Sequence, residues 1–333
     1  DLSVYYRRNR EDQAPIALEN ARTTLLAGFT TARDVGTYIA WADRDLREAI
    51  DAGRAIGPRL QVSGFYLTVP GGGGDLVIPG HPESEIPAQV RMGVARGPDA
   101  FGQKAELAVA GGADFIKVIA SGAVLAYGGV PGEPEMSPEE IAAVVKVAHA
   151  HGLKVSAHAH GARSIKEASL AGADTIEHAS LIDDEGIALA REHDVALSMD
   201  VYNGDYIDTE GRRQGWPEEF LRKNLETTEA QRQGFTQAHA AGAPIVYGTD
   251  AAVYPHGLNA RQFPVMVSRG MTPMQAIQSA TSVAAKYLGW SGRVGAIAPG
   301  RYGDLTAVRC KPLEDITCLQ RVDVVMKGGL RFK

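Results

Sequence analysis

The sequence predicts an α/β protein: a (β/α)8 barrel of the TIM type with its first strand unaccounted for, followed by a small β appendage. Three observations predict it. Short apolar strands alternate with Ala-rich amphipathic helix patterns along most of the chain. No glycine-rich GxGxxG turn, the usual mark of a doubly wound open sheet, follows the first strand. After residue 290 the pattern changes to short β segments between Gly and Pro turns.

In chain order, the candidate strands are 29–35, 59–63, 114–120, 153–159, 175–179, 195–201 and 243–249. Between them lie helix patterns. The clearest is 138–151, with Ser137 as N-cap, Pro138 at the first helical position and Gly152 at the C-terminal stop. A long helix is expected over 273–288. The run Gly71–Gly74 follows a strand, but no helix pattern opens on it, so it reads as a flexible loop over a pocket. The expected organisation is a barrel over 1–290 and a β-sandwich segment over 291–333.

Composition narrows the function. The chain has 333 residues, 44% hydrophobic and 22% charged, with material for a sizeable core. A formal charge of −6 argues against nucleic acid as a partner. No apolar run approaches the ~20 residues of a membrane span. Cys310 and Cys318 lack zinc-knuckle spacing and read as structural thiols, and so few cysteines suit a reducing, cytoplasmic compartment.

In such a barrel the active site lies at the C-terminal strand ends. Polar residues there are Lys117 in strand 114–120, His158 in 153–159, Glu177 and His178 in 175–179, and Asp250 just after 243–249. A lysine among β-branched apolar residues is expensive without a partner. His and Asp are suitable zinc ligands. Residues two apart on a strand share a face, so His160 looks the same way as His158, while Glu177 faces away from His178 toward a buried partner.

These residues, in "ADFIKVIASGAV", "SAHAHG", "TIEHAS" and "YGTDAA", together with the run "GMTPMQAIQSATSVAAKYLGW", resemble the amidohydrolase superfamily. The likeness is to its branch of imidazolonepropionase-like proteins and metal-dependent Xaa-Pro dipeptidases and carboxypeptidases. It implies two divalent metal ions, zinc being the expected one, bridged by a CO2-derived carbamate on Lys117. His158 and His178 would bind the second metal. Asp250 would bind the first and handle the proton of a metal-bridging hydroxide. The family's His-x-His on its first strand has no counterpart here; the expectation is that the chain as given starts just after it. The family's Gly-Gly-His-Gly-Asp stretch reads GGGGD here, with Gly73 in place of the histidine.

The expected activity is hydrolysis of a dipeptide or N-acyl amino acid to release its C-terminal amino acid. The alternatives are cyclic-amide hydrolysis and a non-catalytic, metal-depleted binding protein. His160, Tyr127 and His256 are candidate substrate contacts, with hydrogen-bonding support, a solvated loop and a fixed turn as their respective alternatives. Asp34 is expected to bond loop amides. A homo-oligomer is expected from the family.

Overall fold

The computed structural model describes residues 2–333. Eight parallel strands form its centre. β1 (Thr31–Asp34) pairs with β2 (Arg59–Val62). A six-stranded sheet then runs β3 (Tyr66–Leu67), β4 (Phe115–Ile119), β5 (Lys154–Gly161), β6 (Thr175–Leu181), β7 (Ala196–Ser198) and β8 (Ile245–Val246), in that spatial order. Strand order follows chain order, as expected when each crossover carries its own helix.

All seven expected strands form. The one addition is β3, two residues with too little pattern to read. β2 and β3 are halves of one run, broken where Gly64 takes φ +80° under the Trp41 ring. Its backbone N–H and that of Ser63 both go to Asp43 Oδ2, at 2.8 and 3.1 Å. The Asp114 N–H donates to the Val62 carbonyl at 2.8 Å, which joins the end of β2 to the start of β4. No strand pairing links β8 to β1 among the described residues. On that side Arg33 and Gln61 donate to the carbonyls of Tyr287 and Leu288, at 3.2 and 2.8 Å.

The helix at Pro138–Ala150 carries the predicted Ser137 cap, completed by Glu140 into a capping box, with Gly152 left-handed beyond its end. The single helix expected over 273–288 is two, Pro273–Ser279 and Ser282–Tyr287. Thr281 separates them: its hydroxyl bonds back to the Ile277 carbonyl at 2.7 Å and its φ/ψ leave the helical region.

Three short antiparallel strands follow, β9 (Leu305–Ala307), β10 (Val324–Lys327) and β11 (Leu330–Arg331). Val322 and Val325 pack on Leu25 at the end of the helix Arg10–Leu26, and an Arg59–Asp304 ion pair at 2.9 Å ties this sheet to β2. Cys310 and Cys318, read as structural thiols, are instead joined in a disulfide. A turn at Lys311–Asp315 brings the second sulfur back toward the first. The support that scarce thiols lent to a reducing compartment goes with them. No helix among the described residues is long and apolar enough to cross a membrane.

Gly73 and Gly74 line the main cavity, as expected of a loop over a pocket, but the run Gly71–Gly74 is tied down along its length. The amides of all four glycines are bonded: Gly71 to Asp75, Gly72 to the Val69 carbonyl, Gly73 to Glu135 and Gly74 to Thr68. Gly72, Gly74 and Asp75 are buried. A Cβ on Gly73 would lie 2.9 Å from Ala123 Cβ and 3.1 Å from the Ala123 amide nitrogen. The glycines let two loops close on each other.

Candidate metal centre

β4 delivers Lys117 to the interior. It is 3% exposed, flanked by fully buried Ile116 and Val118. Its ammonium forms no hydrogen bond or ion pair among the described residues, and burial pushes its pKa down against the charges of Glu177 and Asp250. β5 delivers two histidines. Its register against β6 slips between Ala159 and Gly161. The His158 and His160 rings lie 4.6 Å apart, and each stands against the His178 ring at 4.6 and 4.7 Å. The donor atoms of the three fall within 4.8 Å of one another. His160 is anchored: its ring Nδ1 and Ser180 Oγ are 2.8 Å apart, and its amide donates to Ser121 Oγ at 2.9 Å. Burial holds both His158 and His160 well below the usual imidazole pKa.

β6 departs from simple alternation. His178 has φ +71° and Ala179 φ +48°, both in the left-handed region that side chains other than Gly adopt at a cost. This turn aims His178 into the same cavity that Glu177 and Thr175 line. The expectation that Glu177 faces away from His178 is therefore corrected: a regular strand separates neighbours, and this strand is not regular there. Glu177 does have the buried partners expected of it, accepting from Ser156 and Thr175 hydroxyls, both at 2.9 Å. Burial would raise its pKa, but the charge of Lys117 and nearby hydroxyls hold it low.

Asp200, just past β7, was not singled out from the sequence. The signal was present, since it is a polar residue closing the strand 195–201. His178 Nδ1 lies 3.0 Å from Asp200 Oδ1. Burial lowers an imidazole's pKa, yet Asp200's charge and hydrogen bond hold His178 above its usual value. The same pairing holds the Asp200 carboxyl well below the carboxylate range despite burial. Asp250 follows β8 with φ +50°. Its carboxylate, Asp200 and His178 make a second group whose donor atoms lie within 4.8 Å. Burial pushes Asp250 up, His178 opposes and Asp200 adds to the rise.

One cavity of about 1140 Å³ reaches all of these side chains. Tyr127 lines it, its ring 4.9 Å from that of Phe220, and so does His256, whose Nδ1 lies 2.9 Å from Thr24 Oγ1. Asp34 accepts the Gly36 amide at 3.1 Å, as expected of a loop-bonding carboxylate. Thus Lys117, His158, His160, His178, Asp250, Tyr127 and His256, which span 140 positions of chain from first to last (117 to 256), meet around one space.

A parallel α/β fold with imidazoles and carboxylates clustered at its strand ends defines an α/β protein with a candidate metal site. The chain belongs to the amidohydrolase family, whose profile matches residues 8–331. It is 31% identical over 324 residues to ochratoxinase of Aspergillus niger, covering 92% of this chain and 66% of that protein. The chain therefore spans just under two thirds of that relative's length. It superposes on a Xaa-Pro dipeptidase with methionine bound in the active site, with TM-score 0.92, 36% identity, and coverage of 98% of this chain and 80% of that one. A prolidase complexed with N-methylphosphonate-L-proline also matches, with TM-score 0.92, 29% identity and coverage of 100% and 82%.

Proposed function

We propose that this protein is a metal-dependent amide hydrolase that releases a C-terminal amino acid from a dipeptide or an N-acyl amino acid. The observation that carries this reading is the convergence of imidazoles and carboxylates in one cavity, beside a buried lysine that makes no direct hydrogen bond or ion pair among the described residues. The donor set fits divalent metal, since neutral imidazole and carboxylate are zinc ligands. His158, His178 and Asp250 would hold two ions, and Lys117, carbamylated by CO2, would become the anionic oxygen ligand between them. His160, drawn in as a substrate contact, stands close enough to be a further ligand. Bound there, the metals would lower the pKa of water and polarise the scissile carbonyl.

The chain's own residues do the rest. Asp250 takes the proton of the attacking water and returns it to the leaving amine, as base and then acid. Asp200 fixes the His178 ring, leaving Nε2 free toward the cavity. Tyr127, Phe220, Trp216 and Leu125 form an apolar wall suited to a large acyl or side-chain group. Close packing at Gly73 leaves no room for a histidine, which argues against the Xaa-Pro preference its place in the family pattern would bring. In this reading residues 1–290 form the hydrolase barrel and 291–333 the appendage.

The test is metal analysis with a substrate panel. Dipeptides, Xaa-Pro dipeptides, N-acyl amino acids and cyclic imides are assayed with the zinc-loaded protein. Hydrolysis of the first or third class, with kcat lowered about 10²–10⁴-fold in Asp250→Asn and lost in Lys117→Ala, supports the proposal. A full-length protein that binds no divalent metal overturns it. Cleavage of cyclic imides alone moves the assignment to cyclic-amide hydrolysis.

A further inference from the structure

Asp200 and Asp250 come from the ends of adjacent strands, and both point at His178. Asp200 is buried, Asp250 opens on the cavity, and two carboxylates this close repel unless donors stand between them. Asn203 stands there. Its Nδ2 donates to Asp200 Oδ2 at 2.9 Å and to Asp250 Oδ2 at 3.2 Å. Its NH2 end meets the two carboxylates, as a donor should, and its carbonyl oxygen is buried with no hydrogen-bond partner among the described residues. No other side chain bonds both acids among the described residues.

Asn203 is itself held in place. It is 7% exposed, and its backbone amide donates to the Asp200 carbonyl at 2.9 Å. Gln231, from the helix Glu218–Ala240, braces the other side, donating to Asp200 Oδ1 at 2.7 Å and to the His178 carbonyl at 3.0 Å. Each carboxylate oxygen therefore has a defined task. Asp200 Oδ1 serves His178 and Gln231, and Asp200 Oδ2 serves Asn203. Asp250 Oδ2 is tethered to Asn203, which leaves Asp250 Oδ1 for the cavity.

We propose that Asn203 is a positioning residue: it locks the rotamer of Asp250 so that one oxygen faces the reacting atoms, and it couples that rotamer to the Asp200–His178 pair. The role rests on the proposed part of Asp250 in amide hydrolysis. Outer partners of metal ligands of this kind change affinity or activity about 10–100-fold when removed.

The test compares Asn203→Leu, which fills the space without a donor, with Asn203→Asp, which keeps the shape and the helix-start chemistry but replaces the donor by a third carboxylate. Zn2+ affinity is measured by chelator competition, and kcat and KM on the best substrate of the panel. Both variants are expected to lose kcat about 10–100-fold with KM within about twofold, and Asn203→Leu to bind Zn2+ about tenfold more weakly. A merely structural Asn203 predicts that the Asp variant keeps its kcat. Wild-type kcat in Asn203→Asp, or wild-type Zn2+ affinity in Asn203→Leu, overturns the proposal. If the wild-type protein cleaves no amide, the functional reading falls separately, and the Zn2+ titration still decides the role of Asn203.

Discussion

Asp34 and Asp43 lie close together, and burial raises both carboxyls. Asp43 collects three backbone amides, from Arg44, Ser63 and Gly64, which oppose the rise. Asp34 has one, and it is pushed up to about 7 from 3.8. Its proton is thus held more tightly in the fold than in the unfolded chain. The stability this confers is present below pH 3.8 and is lost as pH rises through about 7. Asp34→Asn keeps an acceptor for the Gly36 amide but cannot ionise. Its melting temperature should gain on the wild type between pH 5 and pH 8; parallel melting curves across that range would refute the assignment. At Gly73 steric room decides. Gly73→Ala should cost about 1–3 kcal/mol in urea unfolding, because its Cβ would press on the Ala123 backbone.

Among the elements, the helix starts are legible because caps are local. Ser137, Pro138 and Gly152 announce the helix Pro138–Ala150 from its two ends. What they do not announce is that Glu140 caps two helices. One oxygen accepts from the Ser137 amide at 2.9 Å, the other from Gly97 at 2.7 Å, at the start of the helix Pro98–Ala110. Ser137→Ala should cost about 1 kcal/mol in chemical denaturation, and Glu140→Ala measurably more. Equal losses would show that the bond to Gly97 contributes nothing. The strands follow the same logic. Apolar runs located all seven expected strands, but the reversal of His178 onto the face of Glu177 depends on a left-handed backbone that no local propensity favours.

For the whole molecule, the cavity gathers ionisable side chains from β1 and from β4 to β8, and both clusters of metal-ligating side chains among the described residues lie in it. Metal that binds only the folded state must stabilise it by mass action. Zn2+ at about 100 times its dissociation constant should add about 2.7 kcal/mol to unfolding, read as a higher melting temperature that EDTA dialysis reverses. An unchanged melting temperature at saturating Zn2+ would mean that the His158, His160, His178, Asp200 and Asp250 cluster binds none. Reduction of the Cys310–Cys318 disulfide should leave this response intact, since the bridge lies in the appendage, away from the cavity lining.

The sequence alone determined the β/α alternation, the cap residues and the polar residues that close the strands, because periodicity and caps are set within a few positions of chain. Lys117, His158, His178 and Asp250 were found this way. Tertiary structure decided which of these meet and what braces them. Asp200 becomes informative only when His178 Nδ1 is seen 3.0 Å away, and Asn203 only when two carboxylates from neighbouring strands converge on one amide. Gly71–Gly74 looked mobile by composition and is packed because Glu135, some 60 positions later, accepts an amide there. Each of these depends on groups far apart in the chain, whose distances follow from strand register and backbone turns rather than from local pattern.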